Sequence, residues 1–366
     1  MRITLFFTRG MSFKAWVQTG MVTREVALYR RLLEHGIDVD FVTYGNREDV
    51  QLAAEYAPGV RVLCNRWRLP DRLYQRYIHY LHAPAFWQTD LIKTNQIIGG
   101  REALQTAHRW RKPVIARCGY MHSDFVARKR GAQSERVARA KRIEEHVFST
   151  ADAAVVTTPA MAADIRARIP NTPVYVIPNY VETERFKPLS GIEQTHDIVF
   201  VGRLDPQKNV VALLEAIEQT GVTARIIGDG SLAADLKARF GDVNGRVVWC
   251  GQVPNEQLPR MMQEARLVLL PSRYEGHPKV LIEGMAAGMP VIGGDSRGIR
   301  EIITHGENGW LTAVDSASIA GAITTLLADA ALRQRLGENA RSFVLQHYAL
   351  DRIVQQEIDV YRAVLS

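Results

Sequence analysis

Cysteine is scarce in this sequence: the 366 residues hold three, Cys64, Cys118 and Cys250. They form no Cys-x-x-Cys pair, and an odd number completes no disulfide framework, so neither a zinc site nor an oxidised secreted scaffold is expected. A reducing compartment fits best. The N-terminal Met1-Arg-Ile-Thr-Leu-Phe-Phe-Thr-Arg9 is too short in its apolar part for a signal-peptide core or a membrane span, and it reads as a first buried strand. A low-complexity tract, a short-period repeat and a tight His/Asp cluster of the kind that holds a metal are likewise missing. Acidic residues are few in the first half. Residues 1–180 hold 27 Lys and Arg against 16 Asp and Glu, net +11, while residues 181–366 hold 19 against 23, net −4. Such a field draws an anionic partner, whether nucleic acid, an acidic acceptor or the cytoplasmic membrane face.

What is present describes a globular chain. At 46% hydrophobic and 23% charged, the composition suits neither a disordered nor a membrane-embedded protein. The length calls for two cores. Short apolar runs alternate with helix-like stretches, the pattern of α/β domains with parallel sheets covered on both faces. Strands are expected at 3–7, 39–43, 60–63, 91–94, 114–117, 153–157 and 174–177, and a second series at 198–201, 224–227, 247–250, 267–270, 291–293 and 310–312. Between the series, Pro178-Asn-Tyr-Val-Glu-Thr-Glu-Arg-Phe-Lys-Pro188 and the polar stretch to His196 read as a linker. The expected organisation is an N-terminal domain over 1–180, a linker over 181–196 and a C-terminal domain over 197–350. The two are expected to be doubly wound and to face each other across a cleft at the strand carboxyl ends. The last segment, 351–366, has a helical apolar stripe that fits packing back on either domain.

Three stretches carry chemistry. In Val201-Gly202-Arg203-Leu-Asp-Pro-Gln-Lys208, a strand ends at a glycine and two cations follow before a helix, an arrangement suited to a diphosphate. An ordinary turn with two solvated cations is the alternative. Gly228-Asp-Gly230-Ser-Leu-Ala233 matches Gly-x-Gly-x-x-Ala after a strand. A dinucleotide site would want an acid at the end of the next strand, and Gly251-Gln252-Val253 stands there instead, which favours a mononucleotide turn or a purely structural one. The third stretch is Tyr274-Glu275-Gly276-His277-Pro278-Lys279-Val280-Leu-Ile-Glu283. It sets two carboxylates around a turn that opens a helix: amides at the helix start suit a phosphate, and the carboxylates suit sugar and ribose hydroxyls. Glutamates near a helix start also simply oppose its dipole, a reading less comfortable for Glu283 within an apolar run.

These residues resemble the signature of the retaining family 4 glycosyltransferases, group 1, which share the GT-B fold of two facing Rossmann-like domains with an interdomain cleft. The matching features are Gly202-Arg203 with Lys208, Gly228-Asp-Gly230, Glu275 and Glu283 with seven residues between, Ala286-Ala-Gly-Met-Pro290-Val-Ile292, and Gly306-Glu-Asn-Gly309. The match runs over nearly the whole second half and is thinner in the first, at Pro178-Asn179 and at Thr19-Gly20 before the helix expected over 21–33. The resemblance implies a metal-independent hexosyl transfer from a nucleotide-diphosphate sugar, with no cofactor. Arg203 and Lys208 would neutralise the leaving diphosphate, Glu283 would hold the ribose and Glu275 the transferred sugar. Gly276, His277, Pro278, Lys279 and Val280 would sit against phosphates and sugar, Gln252 and Val253 against the base, and Gly20, Gly202, Gly228 and Gly230 would line the donor. His122, after the strand at 114–117, matches a histidine that helps to hold the sugar, or is an ordinary loop histidine. His277, where the family often has an apolar residue, touches the sugar or fills the loop. Thr19-Gly20 replaces the paired glycines of many relatives.

The implied partners are the donor and a glycan or lipid-linked acceptor, with a role in bacterial surface polysaccharide or lipopolysaccharide biosynthesis. The implied location is cytoplasmic or peripheral at the inner face of the cell membrane. Two basic stretches bear on this. In Arg66–His82, Leu73, Tyr77, Tyr80 and Leu81 share a helical face that either meets a membrane or packs inward. Arg128-Lys-Arg130 through Arg142 is a mobile loop and helix near the acceptor, or a solvated charged face. Rival readings are a non-catalytic sugar-nucleotide or carbohydrate-binding protein on the same scaffold and a GT-B epimerase or hydrolase. Nucleic-acid binding would rest on charge alone and is not expected.

Overall fold

A computed structural model describes residues 1–366, except for the side chain of Lys129. The chain divides into two compact units, one of Met1–Pro178 with Ile353–Ser366 and the other of Asn179–Arg352.

In the first unit seven strands lie side by side: β1 (Arg2–Phe6), β2 (Asp38–Val42), β3 (Arg61–Leu63), β4 (Leu91–Thr94), β5 (Val114–Cys118), β6 (Ala153–Val156) and β7 (Val174–Val176). Their order is β3-β2-β1-β4-β5-β6-β7, with every neighbouring pair parallel. All four residues of β4 and of β6 are buried. Helices cover both faces of such a sheet, which is why β6 reads as an unbroken apolar run rather than an alternating one, whereas β4 buries Lys93 and Thr94 along with its apolar pair. The strand order reverses between β1 and β4, giving a switch point at the strand carboxyl ends.

The second unit repeats the plan with β8 (His196–Val201), β9 (Ala224–Ile227), β10 (Val247–Gly251), β11 (Ala265–Leu270), β12 (Val291–Gly294) and β13 (Trp310–Thr312). Their order is β10-β9-β8-β11-β12-β13, again parallel throughout, and it reverses between β8 and β11. Of the segment read as a linker, Val181 and Phe186 are buried in this unit's core and Val181 bridges to Ala349, so this stretch is built into the second unit. Apolar side chains at those two positions gain more by burial than a solvated connector would.

The C-terminal helix, Leu350–Leu365, brings Glu357 and Tyr361 onto the first unit's sheet. Lys93 in β4 is fully buried and donates to Glu357 Oε2 at 2.5 Å and to the Tyr361 hydroxyl at 3.0 Å. Burial pulls Lys93 below the usual lysine range, and the Glu357 carboxylate opposes that pull.

Three local details sharpen the expected elements. A short helix, Phe13–Gln18, precedes Thr19-Gly20, capped by the Ser12 hydroxyl and turning Phe13 and Trp16 inward. The stretch 128–142 belongs to two helices, His122–Arg130 and Glu135–Thr150, whose Arg136, Arg139, Lys141 and Arg142 are exposed; Lys129 lies outside the described side chains. In the helix Asp71–Leu81 it is Tyr74 and Ile78 that face the core, leaving Leu73, Tyr77 and Tyr80 exposed, so the aromatic face does not pack inward. Asp38-Val39-Asp40 has an Asp-x-Asp spacing, but it lies in β2 and is held by Arg2 and Arg61. Among the described residues no helix is long and apolar enough to cross a membrane.

Candidate functional site

The second unit's switch point is where its chemistry-bearing side chains gather. After β8, backbone bonds stitch the turn to its neighbours: Gly202 N donates to Ile227 O, Leu204 N to Asp229 O, and Gly228 N to Gly251 O at 2.7 Å. Two glycines make this stacking sterically feasible. Gly228 has φ +133°, and a Cβ there would stand 1.9 Å from Gly202 O; one on Gly230 would meet the Leu204 backbone at 2.6 Å. Only residues without a side chain allow two turns to lie backbone against backbone in this way.

Lys208 ends the short 3₁₀ turn Pro206–Lys208 and is followed by Asn209, which adopts φ +55° and is buried. Both ends of its amide are engaged: Nδ2 donates to Val314 O, and Oδ1 accepts from Arg273 Nε at 3.1 Å. That anchor fixes the direction of the preceding lysine. Lys208 Nζ lies 2.6 Å from Glu275 Oε1, the two side chains 16% and 8% exposed. Gln207 Nε2 reaches Glu275 Oε2 at 3.3 Å and Tyr274 O at 3.0 Å. The turns that follow β8 and β11, on the two sides of the strand-order reversal, are therefore joined by an ammonium–carboxylate pair and an amide. A pair this sheltered is costly unless its remaining lone pairs are satisfied, which is what Gln207 contributes.

The Glu275 loop rests on the turn after β12. A Cβ on Gly298 would stand 2.1 Å from Gly276 O and 2.5 Å from Glu275 O, and one on Gly294 would stand 2.7 Å from Ser272 O. Asn179 Nδ2 holds the loop from another side by donating to His277 O at 2.6 Å. The loop then enters the helix Lys279–Ala286, whose opening N–H groups lack intrahelical acceptors. Glu283 lies in the second turn, 2% exposed.

His277 points away from polar company. Its ring is buried edge-to-face against Tyr348 at 4.8 Å, and neither ring nitrogen has a hydrogen-bond partner. Burial, aided by the nearby Lys279 charge, pushes its pKa down to about 3, so the ring is neutral at ordinary pH.

Comparison with known proteins gives the family. The model of glycosyl transferases group 1 matches residues 182–343, and that of glycosyltransferase family 4 matches residues 19–185. The chain is a family 4 glycosyltransferase. An uncharacterised glycosyltransferase of Methanocaldococcus jannaschii is 29% identical over 305 residues, 76% of this chain and 74% of that protein. Sucrose-phosphate synthase of Thermosynechococcus elongatus superposes with a TM-score of 0.82 at 22% identity, covering 100% of this chain and 99% of that one. Anabaena HepE in complex with UDP-glucose superposes at 0.78 with 20% identity, over 99% and 100%. The fold is GT-B.

In this glycosyltransferase the residues singled out from sequence divide into three groups. Lys208, Glu275, Gly276, Pro278, Lys279, Val280 and Glu283, with Gly202, Gly228 and Gly230, occupy the turns and the helix start just described. Gln252 and Val253 follow β10, Gln252 exposed and Val253 packed on the core. Arg203 is apart from the Lys208–Glu275 pair. Its side chain is 72% exposed and bound to Asp205 at 2.9 Å. In the first unit, Gly20 is exposed in the turn that ends the helix Phe13–Gln18, and His122 begins the helix His122–Arg130 after β5 rather than lying in a loop. The buried His122 Nδ1 has no hydrogen-bond partner.

Five residues of this arrangement escape a reading of motifs: Gln207, Asn209, Arg273, Gly298 and, as an anchor of the loop, Asn179. Gln207 and Asn209 flank Lys208 and were the easiest to find. Gly298 gave no signal, because its glycine is required by a backbone more than twenty positions earlier. Among the described residues no group of three or more His, Cys, Asp or Glu comes together to hold a metal ion.

Proposed function

We propose that this glycosyltransferase takes a nucleotide-diphosphate hexose in its second unit and transfers the sugar, with retention at the anomeric carbon and without a metal ion, to a glycan or lipid-linked acceptor of a bacterial surface polysaccharide or lipopolysaccharide. The observation that carries the reading is the pairing of Lys208 with Glu275 beside a helix start, at the carboxyl ends of the central parallel strands. As the bond from the anomeric carbon to the diphosphate breaks, its electrons pass to the diphosphate. A fixed ammonium and oriented amides then act more strongly on the transition state than on the bound donor. Lys208 supplies the ammonium; the amides of Lys279 and Val280 supply the dipoles. Arg203, long and exposed, swings from Asp205 to the phosphates when donor binds. Glu275 accepts from hydroxyls of the transferred sugar, and Glu283 from those of the ribose. In the first unit, Gly20 and His122 act on the sugar end of the donor.

Anabaena HepE has been solved with UDP-glucose, which makes a uridine donor the first to try. A thermal-shift panel of uridine, guanosine and adenosine diphosphate sugars identifies the donor, since ligand that binds the native state raises the melting temperature by mass action. Retention is checked by the anomeric configuration of the product, and metal independence by unchanged turnover in a chelator. Lys208→Ala and Glu275→Ala variants that bind donor and turn over like the parent would falsify the site. A protein that binds donor but neither transfers nor hydrolyses it would be the non-catalytic relative.

A further inference from the structure

Away from the strand carboxyl ends, the first unit carries a group of side chains that the transfer chemistry does not use. At the amino ends of β4 and β5, Trp87 is 75% exposed and Tyr80 is 53% exposed. Trp110 stands edge-on to Trp87 at 6.4 Å between ring centres. The Arg109 guanidinium lies over Tyr80 at 5.4 Å and over Trp110 at 5.9 Å, and Lys112 Nζ donates to Trp87 O at 3.2 Å. Beside them is a pocket of about 540 Å³, lined by His108, Arg109, Arg111 and Lys112, by the single acid Asp152, and by apolar and Thr150 groups. Asp152 is already engaged, accepting from Val114 N at 2.7 Å.

Cations at the end of the helix Gly100–Trp110 have an ordinary role against its carbonyls. That role does not account for exposed tryptophan and tyrosine rings in the same place. Amphipathic rings with cations beside them are what an anionic membrane interface selects, the rings lying among headgroups and the cations meeting phosphates. Leu73 and Tyr77 continue the exposed strip along the helix Asp71–Leu81, with Arg76 over Tyr77 at 5.8 Å. Charge complementarity names the occupant: this is the strongly basic half of the chain.

We infer that the shelf of Tyr80, Trp87, Arg109, Trp110, Arg111 and Lys112 docks the protein onto an anionic lipid surface, with a headgroup phosphate entering the pocket. The loops at the carboxyl ends of this sheet, where Gly20 lies beyond β1 and His122 beyond β5, stay clear of the docked edge because parallel strands place the two sets at opposite ends of the sheet. The inference does not depend on the donor chemistry of the second unit.

The test is co-sedimentation of the full chain with vesicles of phosphatidylcholine alone and of phosphatidylcholine mixed with phosphatidylglycerol. Wild type is expected to bind the mixed vesicles, less so as salt rises, and to ignore the neutral ones. Arg109→Gln with Arg111→Gln is expected to weaken binding by about fivefold for each cation removed. Trp87→Ser with Tyr80→Ser is expected to weaken it at least as much and to remove a blue shift of tryptophan emission seen with mixed vesicles. These exposed changes leave the thermal shift given by donor unaltered, which separates loss of docking from loss of the proposed activity. Wild type that ignores mixed vesicles, binds neutral ones equally, or binds inorganic phosphate without binding vesicles overturns the inference, as do variants that bind like the parent.

Discussion

In the first unit the parallel sheet reverses its order between β1 and β4, and in the second between β8 and β11, so the same architecture offers two equivalent switch points. The side chains gathered at them differ. Around β1 and β4, a guanidinium–carboxylate pair, Arg9 with Glu102 at 3.0 Å, sits among bonds from side chain to backbone: Arg117 donates to Asn95 O, and Gln96 Oε1 accepts from Gly119 N. Around β8 and β11 an ammonium meets a carboxylate, an amide steadies both, and glycines let neighbouring turns touch. The first unit is instead distinguished by the net +11 charge of residues 1–180, nearly all of which it holds, and by its exposed rings. A common fold therefore supplies the position of a site, and the loops decide whether chemistry occupies it.

That contrast is open to attack at several points. The largest expected effect concerns what makes the first unit whole. Glu357→Ala leaves the buried Lys93 ammonium without its carboxylate and is expected to destabilise the protein by about 3 to 5 kcal/mol, read as a fall in the urea midpoint. Lys93→Met combined with Glu357→Leu should recover most of that loss, and failure of the double change to do so would remove the ion pair as the cause.

Next comes the second unit's own pair. Lys208→Ala is expected to lower kcat/KM by about 10²- to 10³-fold and, by leaving the sheltered Glu275 carboxylate without its cation, to lower the melting temperature of the free protein as well. Gln207→Ala, which removes one bond to Glu275, should cost about tenfold. A smaller loss from Lys208 than from Gln207 would invert the assignment.

Gly298→Ala probes the support under the Glu275 loop. The added methyl would stand 2.1 Å from Gly276 O, so the loop must shift, and about 1 to 3 kcal/mol of stability is expected to go together with donor affinity. The same change at Gly321, which has nothing within 4 Å, should do neither.

The remaining test is a pH dependence shared by the two units. Burial lowers His277 in the second unit to about 3 and His82 in the first, beside Arg66, to about 4, against 6.5 in an unfolded chain. Between those values only the unfolded state carries the proton. Stability from each histidine is therefore complete above pH 6.5 and declines as the pH falls toward the folded value, by about 1.4 kcal/mol per pH unit for each ring well below pH 6.5. Denaturant melts from pH 7 to pH 5 check this. His277→Phe, which can keep the contact with Tyr348, should flatten the second unit's share of the slope.

Much of the architecture was legible from residue order alone. Strands such as Leu91–Thr94 and Ala224–Ile227 fall where short apolar stretches place them, even though each carries one basic residue, Lys93 and Arg225. Boundaries drifted where polar residues extend a strand, as His196 and Asp197 do at the start of β8. The helix Phe13–Gln18 was invisible because six residues carry too little periodicity. Lys208, Glu275 and Glu283 were legible as motif members, but the direct bond between Lys208 and Glu275 was not, since 67 positions separate them.

The sequence by itself determined two α/β units, the strands of each and the family to which their loops belong, since hydrophobic pattern and glycine placement are local properties of the chain. Only the tertiary structure decided that Glu357 would neutralise Lys93, that Gly298 would lie beneath Gly276, that His277 would be shut away from polar groups, and that the rings of Tyr80 and Trp87 would face outward. Those outcomes depend on which surfaces meet after distant segments pack, and burial and contact are set by the whole fold rather than by neighbours in the chain.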